Sequence, residues 1–246
     1  NNTATGGLYT HGGGMYNEFS SAYLTDIVFS ENSAINSSYG AFGGGLSIRN
    51  SKTTLVNVTI SNNTSSSTYA GRGGGVSIVN YSELIATNVT IKDNNATGGS
   101  TTGGGIYNVS SYTSILTNVV ISGNTSATHG GGICNLQNAQ LYLSNVVISG
   151  NSAGHGGGIF NKDSSPKIYN SIILGNTVTN SAPGVFNEGS ASPYIQYSLV
   201  EELSDTTNQN LDATGVTLTD IFTDPTNDDF SPKDLGVLVN AGNNTL

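Results

Sequence analysis

Residues 130–159 read GGGICNLQNAQLYLSNVVISGNSAGHGGGI, a Gly-Gly-Gly triplet followed 26 residues later by a second one. Between the two stand Ile133 and Asn135, then the alternating Leu141 and Leu143, then Asn145-Val-Val-Ile-Ser-Gly-Asn151. Apolar residues at every second place are strand patterning, and the Gly, Asn and Ser between the runs are turn formers. A unit of this length holding about three short strands is one coil of a parallel β-solenoid. Parallel neighbours need a long crossover, and here the rest of each coil is that crossover.

The same unit extends in both directions. Triplets begin at Gly12, Gly43, Gly73, Gly103, Gly130 and Gly156, with a degenerate copy Ala182-Pro183-Gly184, at intervals of 31, 30, 30, 27, 26 and 26 residues. An aliphatic residue follows each: Met15, Leu46, Val76, Ile106, Ile133, Ile159 and Val185. A second aliphatic column runs Leu24, Leu55, Ala86, Leu116, Leu143, Ile168, Ile195, and a third Ile60, Ile91, Ile121, Ile148, Ile173. The motif Asn-Val-x-Ile-Ser-x-Asn is clearest at Asn57–Asn63, Asn118–Asn124 and Asn145–Asn151. Stacking of like positions predicts buried aliphatic ladders and an inward Asn ladder that satisfies backbone groups at the turns. The fold expected is all-β, a parallel β-helix of about seven to eight coils and about 40 Å long at the parallel-strand spacing. Most Asn-x-Ser/Thr sequons, among them Asn57, Asn88, Asn108 and Asn124, coincide with that ladder and read as products of composition.

Composition excludes the other classes. Gly (33) and Asn (31) make up about a quarter of the 246 residues, charged residues are only 9%, and no apolar run is long enough for a transmembrane helix. Residues 1–187 carry six acids and six bases, whereas residues 188–246 carry ten acids and Lys233 alone, so the whole net charge of −9 lies in the last quarter. Seven bases cannot form a phosphate-binding surface, and no nucleic-acid partner is expected. The lone Cys134 offers neither disulfide nor metal motif. A chain opening on Asn1 without Met or leader reads as a mature or trimmed segment.

The charge step sets the expected division: repeats over 1–200 and an acidic capping segment over 201–246. The outward row Val28, Thr59, Thr90, Val120, Val147, Ile172, Leu199 turns apolar toward its end. Such a row needs cover, so Leu203–Leu246 is expected to fold over it and close the last coil. No cap precedes Gly12, which leaves upstream coils or end-to-end self-association as the ways to cover that end.

Three groups are candidate sites. The residue after each ladder aliphatic should point outward, so Tyr16, Tyr107, Phe160 and Phe186 form an exposed aromatic stripe able to stack on sugar rings or to stabilise the sheet face. Asp220, Asp224, Asn227, Asp228 and Asp229 cluster oxygen ligands at a spacing that a structural calcium ion tolerates, or form a Pro-centred turn. His11, His129 and His155 each precede a triplet. The last two, on adjacent coils, should lie about 5 Å apart, able to share a transition metal or, with no carboxylate or thiolate placed beside them, simply to stack. No other cofactor is expected. Neither paired carboxylates at matched positions nor a nucleophile with its base recurs between coils, which argues against an enzyme.

The repeated Gly-Gly-Gly-Ile-x-Asn and Asn-Val-x-Ile-Ser-x-Asn resemble the right-handed β-helical repeats of bacterial surface proteins, the polymorphic outer-membrane proteins and large adhesin-like chains. The end, Asp224-Pro225 … Asp229-Phe230 … Asn240-Ala241-Gly242-Asn243, is similar to the closing segment of choice-of-anchor domains. The resemblance implies a right-handed solenoid at the cell surface, extracellular, serving as stalk, adhesin or filament-forming segment with a glycan or other cell-surface ligand. The alternative it leaves open is a polysaccharide-binding or polysaccharide-degrading β-helix.

Overall fold

The computed structural model describes residues 1–203, 207–227 and 229–233. Seven coils stack into a parallel β-solenoid, and every pairing between coils is parallel. One sheet carries the strands after the triplets: Met15–Glu18, Leu46–Arg49, Val76–Val79, Ile106–Val109, Ile133–Leu136, Ile159–Lys162 and Val185–Glu188. A second holds the longest strands, such as Lys52–Ser61, Glu83–Lys92, Ser114–Ser122 and Leu141–Ser149. The third is built from short Ser- and Thr-rich strands, among them Ser33–Asn36, Thr64–Ser67 and Ser152–His155.

The register is that of the sequence columns. Leu46, Val76, Ile106, Ile133 and Ile159 pair in turn and are fully buried, as are Ile60, Ile91, Ile121, Ile148 and Ile173 on the facing sheet. Each such side chain contributes about 1.5–3 kcal/mol of burial, and together they form one continuous aliphatic cluster running along the stack.

The triplet glycines are required for two reasons. The first glycine of each sits at positive φ, from 60° at Gly156 to 67° at Gly73, where it reverses the chain into the next strand. The second lies against the adjacent coil: a Cβ on Gly44 would stand 2.4 Å from the Gly74 carbonyl oxygen and 2.5 Å from Thr64 backbone.

Asparagine plays two distinct parts, and here the structure corrects the sequence reading. Asn32, Asn63, Asn94, Asn124, Asn151 and Asn176 are buried, and each of the first five donates its backbone N–H and its side-chain amide to the Oδ1 of the next, at 2.9–3.1 Å. The second amide hydrogen goes to a carbonyl of the preceding coil, as from Asn94 to Ile60 at 2.9 Å. Every rung donates in the same direction, and the last donor, the Asn176 N–H, meets Glu201 Oε2 at 3.2 Å. Asn57, Asn88, Asn118 and Asn145 instead lie exposed on the long-strand sheet at φ between 54° and 56°, where the strand bends. Asn tolerates that left-handed conformation better than a branched side chain. The sequons at Asn57 and Asn88 are therefore on the surface, while Asn108 and Asn124 are buried.

After Val200 the chain leaves the solenoid. Leu211 bridges Leu199 in parallel, the short helix Leu218–Ile221 follows, and Phe222–Asp224 pairs antiparallel with Asp229–Pro232. Ala213, Ile221 and Phe222 pack with Leu174 and Leu199, joined by Val147, Ile172 and Phe230, so this segment lies over the apolar end of the outward row. Residues 204–206 and 234–246, including Asn240 to Asn243, lie outside the described residues.

Candidate functional site

The most structured part of the surface is the outer face of the triplet sheet. Its central column runs Tyr16, Ser47, Ser77, Tyr107, Cys134, Phe160, Phe186 in unbroken register. The sequence places all of these outside, and so does the backbone. They are nevertheless not an exposed stripe: Tyr107 is 8% and Phe160 2% exposed, Phe186 is half-buried, and only Tyr16, at 37%, is exposed. The cover comes from the residue that precedes each triplet. The left-handed first glycine folds that residue back over the sheet, so His11, Phe42, Arg72, Thr102, His129 and His155 form a second column above the first.

The two columns interlock. His11 stacks on Tyr16 and on Phe42, both at 4.8 Å between ring centroids. His129 lies 4.3 Å from Phe160 and 5.7 Å from His155, and His155 lies 5.2 Å from Phe186. Phe160 and Phe186 are themselves stacked at 5.6 Å. Burial holds the His129 imidazole below its usual range, with repulsion from His155 adding to it. Burial does the same at His11, reinforced by the Arg49 charge. Burial also pushes the Tyr107 hydroxyl up to about 12, and raises the Cys134 thiol far enough to leave it an unreactive apolar side chain.

Toward the N-terminal end the packing opens. A groove of about 380 Å³ is walled by Tyr9, Phe42 and Tyr107 and rimmed by Asn80, Ser110 and Gln137. Arg72 reaches into it with its guanidinium carbon 5.1 Å from the Phe42 ring centre and 6.0 Å from that of Tyr107. Arg49, on the opposite wall, is held by Glu18 at 3.1 Å. Arg72 and Phe42 stand immediately before their triplets as the three histidines do, and that shared position is the sequence signal for this site; Tyr9, on a neighbouring corner strand, carries none.

In the acidic segment the described carboxylates are engaged in local turns. Asp220 accepts from the Thr217 N–H (2.8 Å) and hydroxyl (2.6 Å) ahead of the short helix. Asp224 accepts from Thr226 and Asn227 at 2.6 and 2.7 Å, and Asp229 from the Ser231 N–H at 3.0 Å. These turn hydrogen bonds hold all three carboxyls below their usual range. Asp228 lies outside the described residues, and no group of three His, Cys, Asp or Glu is placed to hold a metal among those described.

The fold and these columns define a parallel β-solenoid repeat protein with stacked Asn ladders. Residues 118–136 and 145–162, within the fourth to sixth coils, match the Chlamydia polymorphic membrane protein repeat, and the architecture fits a surface β-helix protein of that kind. No curated protein and no solved structure matches the chain. Among the described residues, no helix is long and apolar enough to cross a membrane.

Proposed function

We propose that the chain is a non-enzymatic, extracellular module of a bacterial surface protein, serving as an adhesive stalk. The observation that carries this reading is the polymorphic membrane protein repeat set within seven stacked coils of parallel strands. A rod whose interior repeats the same aliphatic and asparagine ladders separates its ends by the full length of the stack and spends its side-chain variation on the outside. That division of labour suits presentation of a surface away from a cell. A glycosidase would need two facing carboxylates at a cleft, and a lyase calcium beside an Arg or Lys base; the outer groove here is lined by aromatics, amides and arginine, with no carboxylate in its lining.

The test is adhesion. Beads coated with the folded chain should adhere to cultured cells well above beads coated with the heat-denatured chain, and soluble folded chain should compete. No adhesion by the folded chain defeats the adhesive reading. Release of reducing ends or unsaturated products from a panel of acidic and neutral polysaccharides would replace it with the enzymatic one. Sedimentation over a range of concentrations separates the filament version, which requires end-to-end growth, from the single stalk.

A further inference from the structure

The groove lies on the coils whose central outer column carries small side chains. Tyr16 and Tyr107 bracket Ser47 and Ser77 in the same register. Both serines are fully buried. The rings of His11 and Phe42 lie over the interval, with Phe42 6.4 Å from Tyr107, and the groove is lined by these overlying side chains together with Tyr9 and Arg72. Further along, Phe160 and Phe186 of the central column stack directly on one another.

Arg72 is the cation of that groove. Its guanidinium lies against two rings, an arrangement that leaves the in-plane N–H edge for an acceptor. Among the described residues no carboxylate ion-pairs with it, whereas Arg49, Lys52 and Lys162 are each paired, with Glu18, Glu83 and Glu188. Tyr9, 54% exposed, offers a ring face at the mouth, and Ser110 donates to Gln137 Oε1 at 3.0 Å on the rim, a hydroxyl and an amide suited to exchange bonds with hydroxyl groups.

We infer that this groove binds a carboxylate-bearing sugar unit of a glycan chain, an inference that rests on the adhesive reading above. The carboxylate takes the free edge of Arg72 as a charge-assisted pair. The C–H face of the sugar lies on Tyr9 and Phe42, and its hydroxyls meet Ser110 and Gln137. An acidic peptide would satisfy Arg72 but leave both the ring faces and the amide rim without partners. The volume, at the small end for ligand sites, admits a short saccharide and no folded domain.

The experiment measures binding of the purified chain to immobilised oligogalacturonate and hyaluronan oligosaccharides, to the same oligosaccharides with their carboxyl groups reduced, and to polyglutamate. Binding to at least one carboxylate-bearing oligosaccharide, lost on carboxyl reduction and absent for polyglutamate, supports the site. Arg72→Gln should weaken it by about ten-fold or more, with Arg72→Lys retaining part of the affinity. Tyr9→Ala should weaken it several-fold with an unchanged melting temperature, a check that does not depend on how Arg72→Gln folds. The inference is overturned if no acidic oligosaccharide binds, if reduced forms or polyglutamate bind equally, or if folded Arg72→Gln and Tyr9→Ala both bind like the parent. Coated beads that adhere to cells while no oligosaccharide binds would sink the sugar site and spare the adhesive reading. Oligosaccharide binding without cell adhesion would do the reverse.

Discussion

Coils two and three and coils six and seven share one backbone, one register and one aliphatic interior, yet their outer faces differ completely. Around Phe160 and Phe186 the face is closed by stacked rings from the chain itself, with His129 and His155 laid on top. Around the buried Ser47 and Ser77 the overlying side chains, Phe42 and Arg72 among them, line an open groove. The rest of the surface follows the same division. Among the described residues, the exposed large apolar side chains run from Leu8 to Ile115, with Tyr194 the exception beyond them. In a solenoid the inside fixes the coil, so side-chain size on the outside is free to decide whether a stretch is packed or left open for something else.

The largest test of that contrast is to hollow the packed end. Phe160→Ala should cost about 3–5 kcal/mol, because its cavity is enclosed by His129, Cys134 and Phe186, and urea unfolding would read it directly. A loss below about 1 kcal/mol would mean that the two ends are equally open. Next come Asn63→Ala and Asn151→Ala, each expected to cost about 2–3 kcal/mol by orphaning buried donors and acceptors. Near-equal values would show that the interior is uniform and that the contrast belongs to the outer face; a gap of more than about 1.5 kcal/mol would break it. Arg72→Gln, at the grooved end, should cost about 1 kcal/mol or less in the same assay, the share of a partly exposed cation–π contact.

The smallest effect is pH-dependent. His129 and His11 have folded pKa values below the unfolded one, so the unfolded chain takes up protons first as pH falls. Their contribution to stability is present above about pH 6.5 and is lost as pH drops toward the folded values. The melting temperature should therefore fall between pH 7.5 and 5.5, and His129→Gln should flatten that slope. An unchanged slope in the variant would remove His129 as its source.

Much of this architecture is legible from residue spacing alone. The columns from Met15 to Val185 and from Leu24 to Ile195 pair as the sequence aligns them, because a buried ladder leaves no alternative register. The outward aliphatic row ending at Leu199 is equally plain in the sequence as a face that needs cover. Two features were hidden. The direction of Asn57 and Asn88 depends on a left-handed bend in mid-strand, and alternation counting does not see that bend. The burial of Tyr107 and Phe160 depends on the residue ahead of each triplet folding back across the sheet, a contact set by glycine φ and by the adjacent coil together. The groove at Arg72 was hidden for the same reason, since Arg72 reads as an unmatched position until its column is seen to include Phe42 and the histidines.

The one-way run of amide donors from Asn32 onward gives the rod a grain. A further winding carrying its own asparagine fits between any two rungs, receiving from one neighbour and handing on to the other, so growth by whole turns needs no new solution inside. Glu201 ends that freedom: its carboxylate receives the Asn176 N–H and hands nothing onward. A turn spliced in after that residue would begin with an unanswered acceptor, and the terminus is in this sense a stop signal written in hydrogen bonds.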